Sequence, residues 1–70
     1  MEYTGKFKSF YSEDLKKAVS VLEYKQEKGI PYMECSRCGQ LIKRKMYVVQ
    51  DDETDIEMLY LGSECIKHFK

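Results

Sequence analysis

The chain has no asparagine, a single histidine, three cysteines and no long apolar run. Each shortage excludes something. Without asparagine an HNH-type nuclease arrangement cannot be assembled. An odd cysteine count argues against a disulfide framework. No stretch is long and apolar enough for a transmembrane helix, so no membrane partner is expected. Met1 to Lys6 lacks the apolar core of a signal peptide. The expectation is a cytoplasmic protein in a reducing compartment, where C-x-x-C is more often metal-binding or redox-active than a structural disulfide. Net charge is also missing: Lys and Arg number 12, Asp and Glu 12. Strong overall attraction to a polyanion is therefore not expected, although local charge is uneven.

Size is the next shortage. A chain of 70 residues is one domain (1–70), at the length where a hydrophobic core alone is marginal. Ordering the backbone costs roughly 1–2 kcal/mol per residue. Structural zinc in small fingers contributes ~10–16 kcal/mol near neutral pH, enough to decide whether such a chain folds.

What is present organises around four residues. Cys35 and Cys38 form a C-x-x-C followed by Gly39, and Cys65 and His68 form a C-x-x-H; together they are every cysteine and histidine in the chain. Three thiolates and one imidazole make a closed tetrahedral set for one structural zinc. A small residue after C-x-x-C lets the backbone turn and aim its amides at sulfur, which suits Gly39. Residues 41–50 are rich in strand formers, Asp51 to Asp55 is a polar turn, and residues 56–61 read as the returning strand. Gly62 breaks that strand, and Ser63 is placed to cap a short helix carrying Cys65 and His68 on one face.

The first half reads as an extension over residues 1–32. Tyr3, Phe7, Phe10 and Tyr11 suggest a short strand or extended arm. Residues 12–28 read as a helix: Ser12 as N-cap, Glu13 and Asp14 in the first turn, Gly29 after the end, then Ile30-Pro31. Leu15, Ala18, Val19 and Leu22 fall at i, i+3, i+4 and i+7, an apolar face expected to pack on the hairpin. The fold class expected is thus α+β: an N-terminal strand and helix, a zinc knuckle, a β-hairpin and a short C-terminal helix.

The segments Cys35-Ser36-Arg37-Cys38-Gly39 and Leu61-Gly62-Ser63-Glu64-Cys65-Ile66-Lys67-His68, with the hairpin between them, resemble the treble-clef family of zinc fingers. The second segment is similar to the G-S-E-C-I endings of small zinc proteins from microbes and their phages. The resemblance covers residues 33–70 and implies a knuckle, a hairpin and a helix gathered on one metal. A histidine as last ligand departs from the many treble clefs that end on cysteine.

Chemistry beyond the metal is sparse. The acidic run from Asp51 to Glu57 lacks the glycine and glutamate that an EF-hand loop requires. Gly-rich phosphate loops and nucleophile motifs are missing, so an enzyme is not expected. The four ligands would leave a closed rather than catalytic zinc. Two binding classes remain. Aromatics are numerous for this length, and any left exposed would mark an interface with another protein or with a second copy. Arg37, Lys43, Arg44 and Lys45 gather positive charge near Tyr47, a candidate nucleic-acid surface in which phosphates are contacted and a base is stacked.

Overall fold

A computed structural model describes residues 2–25 and 33–70. Four strands follow one another along the chain: β1 (Glu2–Ser12), β2 (Lys17–Lys25), β3 (Lys45–Asp51) and β4 (Glu57–Leu61), and a single turn of helix, α1 (Cys65–His68), follows. The strands form one antiparallel sheet in the order β1-β2-β3-β4. This overturns the α+β class: the described residues form a small antiparallel sheet with almost no helix, and residues 12–25 turn and return as a strand. The helix end expected around Lys28 to Pro31 lies outside the described residues.

The physical reason is visible in the pairing. Residues 17–25 form an internal strand, bonded to β1 on one side and β3 on the other, with Val21 opposite both Lys8 and Val49. Three consecutive residues, Val19 to Val21, are buried. A strand covered on both faces loses its period-2 alternation and can imitate a helical stripe. Of the four residues expected on one helical face, Val19 is fully buried in the core and Leu15 and Leu22 pack against it, but from a turn and a strand, and Ala18 is exposed.

Ser12 does cap, but it caps a turn. Its Oγ accepts from Leu15 N at 3.1 Å, and its carbonyl accepts from Lys16 N at 2.7 Å. Lys16 then takes a left-handed φ of 57°, which sends the chain back as β2 instead of onward as helix. The hydroxyl that offers N-cap chemistry thus closes a single turn.

β1 bends as it runs. Its register to β2 shifts between Tyr3 and Gly5 and again between Lys6 and Lys8. Gly5 adopts φ 131°, a backbone conformation that disfavours L side chains. β3 sits deepest: Met46, Tyr47, Val48 and Val49 are all buried, so both faces of the sheet are covered at this strand. The same core takes in Cys35, Ile42, Cys65, Ile66 and Phe69, from the two segments that flank the β3–β4 hairpin. Burying each such aliphatic or aromatic side chain is worth roughly 1.5–3 kcal/mol.

The acidic run forms the turn between β3 and β4. Asp51 Oδ1 accepts from Glu53 N at 2.8 Å and Thr54 N at 3.2 Å, and Lys17 Nζ lies 3.3 Å from Asp51 Oδ2. The Asp51 carboxyl is held below the usual range, chiefly by those two amides. No helix among the described residues is long and apolar enough to cross a membrane.

Candidate metal centre

Two segments meet beside the hairpin. The first is a knuckle over residues 33–42. Glu34 and Leu41 form an antiparallel bridge, Cys35 N donates to Gln40 O at 2.8 Å, and Ile42 N donates to Met33 O at 2.8 Å. Inside this bracket Gly39 N donates to Cys35 O at 2.9 Å, and Gly39 takes φ 78°. The positive φ is what the sharp reversal after C-x-x-C requires. Ser36 ties the knuckle to β4: its amide donates to Tyr60 O at 2.8 Å and its Oγ accepts from Tyr60 N at 3.1 Å.

The second segment is α1. Its first turn is started by Ile66 N donating to Gly62 O at 3.0 Å. Ile66 and Phe69 are buried, and Phe69 meets Phe10 of β1 edge-on at 5.7 Å. Beyond the helix, Lys70 O accepts from Ser12 Oγ at 2.7 Å and from Asp14 N at 2.8 Å. Lys70 N donates in turn to Asp14 Oδ2 at 3.1 Å. Anchored on both sides, α1 holds Cys65 toward the knuckle.

The result is a group of three sulfurs. The Sγ atoms of Cys35, Cys38 and Cys65 all lie within 4.8 Å of one another, with Cys35 and Cys65 buried and Cys38 exposed. All three are free thiols. A tetrahedral ion with metal–sulfur bonds near 2.3 Å separates its thiolates by less than about 4 Å, so the group needs only a small contraction to close on a metal. Three cysteines so placed could hold a metal ion. His68, expected as the fourth ligand, is exposed at the end of α1 and stands outside the sulfur group.

The electrostatics of the group are uneven. Burial pushes the Cys35 thiol up, but backbone hydrogen bonds from Cys38, Gly62 and Arg37, with a side-chain hydrogen bond from Cys65, outweigh it and bring it down to about 7. Cys65 is pushed up to about 11, first by burial and then by its hydrogen bonds with Cys35 and Cys38; Arg37, whose Nη1 lies 4.0 Å from its sulfur, opposes the rise. One sulfur of the group, Cys35, is thus prepared as a thiolate by amide dipoles, and a metal must displace the proton of Cys65. Metal affinity should therefore rise with pH through neutrality.

The residues marked as a nucleic-acid surface divide. Lys43, Arg44 and Lys45 are exposed and line a cleft of about 230 Å³ whose lining also includes all three cysteines. Arg37 is exposed beside Cys65. Tyr47 is buried: its ring packs against Phe7 at 5.0 Å, and its hydroxyl donates to Glu23 Oε2 at 2.9 Å. It is not placed to stack a base. The cleft itself was not foreseen, although the run Lys43-Arg44-Lys45 close behind the knuckle was the signal for it. Compared with protein-family models, curated proteins and solved structures, the chain matches none of them.

Proposed function

We propose that this protein is a small zinc-stabilised binding module, and not an enzyme, whose partner is another protein. The observation that carries the metal reading is the convergence of Cys35, Cys38 and Cys65 from segments far apart in the chain. Sulfur donors in a four-coordinate arrangement favour zinc among the common divalent ions. The order of knuckle, hairpin and helix in residues 33–70 is that of a treble clef, which supports one structural ion. Free thiols suit a reducing, cytoplasmic setting.

Support for a protein partner comes from β1. It is an edge strand, and Tyr3, Phe7 and Tyr11 on it are 53%, 48% and 65% exposed. Exposed aromatics on an open sheet edge favour strand addition by another polypeptide. A second reading, nucleic-acid binding, rests on Lys43, Arg44 and Lys45 standing exposed along one cleft. Metal content tests the shared premise: about one zinc per chain is expected in protein prepared without chelators, and metal-free material that melts as sharply with or without added zinc would overturn it. A salt titration of binding to generic RNA and DNA separates the partners. Affinity that falls steeply with salt supports the nucleic-acid reading. No binding at low salt, beside a stable protein complex lost on changing Tyr3, Phe7 and Tyr11 to serine, supports the first.

A further inference from the structure

Zinc takes four ligands, and the converging sulfurs number three. Every cysteine and histidine of the sequence lies among the described residues, so residues 26–32 contribute neither. His68, the remaining candidate of that kind, stands outside the sulfur group at the exposed end of α1. The cleft reaches the sulfurs from solvent, and its lining among the described residues is cationic: Lys43, Arg44 and Lys45, with Glu64 as the one carboxylate. That carboxylate is itself turned to Lys67, 3.6 Å away.

From this we infer that the metal keeps one coordination position open to the cleft, and that an exogenous anionic ligand with a thiolate donor fills it. The inference rests on the metal reading above. Softness selects the donor: an ion already held by thiolates matches sulfur better than carboxylate or water. Charge selects the ligand's sign. Three thiolates and a divalent ion leave about one negative charge, and a fourth thiolate adds another. Three cations in the cleft lining offset that repulsion for an anionic ligand and oppose entry of a cationic one. The incoming thiol gives its proton to solvent as the sulfur–metal bond forms, and a bound water leaves; no oxidant or reductant is involved.

The test uses the full chain loaded with cobalt(II), whose visible bands report ligand type and number. Mercaptoethanesulfonate is titrated in, with the cationic thiol cysteamine as comparison. The protein is then desalted to confirm that cobalt stays bound. The expected result is a saturable spectral change with mercaptoethanesulfonate, equal in the parent and in His68→Ala, and much weaker with cysteamine. Changing Lys43, Arg44 and Lys45 together to alanine should raise the half-saturating concentration roughly ten-fold, as three solvent-screened charges allow. If the parent spectrum ignores the anionic thiol and His68→Ala alone responds to it, the imidazole fills the position; the inference then fails and the metal reading stands. If neither protein takes up cobalt, both fail.

Discussion

Gly39→Ala is the sharpest probe of the knuckle, because its cost is separable into parts. Gly39 holds φ 78°, and a Cβ built there meets no atom within 4 Å. Steric contact therefore contributes nothing, and the whole effect is conformational. An L-residue in the left-handed region costs roughly 1–2 kcal/mol. Against this, alanine narrows the unfolded ensemble and recovers about 0.4–1 kcal/mol. The net expectation is a loss of about 1 kcal/mol. D-alanine at the same position has the mirror preference, so it keeps the recovery without the penalty and should stabilise by about 0.5 kcal/mol. At this length the chain is accessible to chemical synthesis, which makes the D-variant practical. If the metal-free chain folds, the difference appears in the urea midpoint. If folding needs the metal, it appears as affinity in competition with a chromophoric chelator, about five-fold weaker for L-alanine and about two-fold tighter for D-alanine. Opposite signs are the signature. Equal losses for both enantiomers would show that the position senses packing instead of φ, and the account of the knuckle would be wrong.

Cys38→Ala should abolish tight metal binding while barely changing the metal-free protein, because Cys38 is exposed and contributes little packing; calorimetric melts with and without zinc check this, and a zinc-dependent melt that survives would contradict it. Tyr47→Phe should cost about 1 kcal/mol in urea unfolding, the value of one hydrogen bond to a partly exposed carboxylate. The Glu23 carboxyl is held low by Thr4 first and Tyr47 second, so its contribution is present above the ordinary glutamate range and lost as pH falls through the lowered value; Tyr47→Phe should flatten that acid limb. Lys43, Arg44 and Lys45 changed together to alanine should leave the melting free energy within about 0.5 kcal/mol at each site, since all three are exposed.

Legibility differs between the halves of the chain for definite reasons. The hairpin of β3 and β4 was readable because Tyr47-Val48-Val49 and Met58-Leu59-Tyr60 flank a polar turn. The sulfur group was readable because spacing and scarcity left few other uses for three cysteines. The helix over residues 12–28 was misread because local signals agreed with one another and tertiary pairing overruled them. Ser12, Glu13 and Asp14 make a credible helix start, yet Lys16 at φ 57° turns the chain after one loop. Val19, Val21 and Tyr24 are good strand formers, but burial on both faces of β2 erased the alternation that would have revealed them. Tyr47 was misplaced as a surface group because its basic neighbours are exposed. One residue past Lys45, at Met46, the strand is already inside the core. No rule of spacing could place His68, since four residues of helix do not settle which way a terminal side chain turns.

Within the sheet each strand pairs with the strand next to it in sequence, so the sheet can form without any parallel crossover. Against that local scheme stands the Ser12–Lys70 bond, which joins positions 58 apart. Contacts of such separation are kinetically expensive. The meander should therefore form quickly, while docking of the chain end sets the pace at which the third thiol arrives beside the other two.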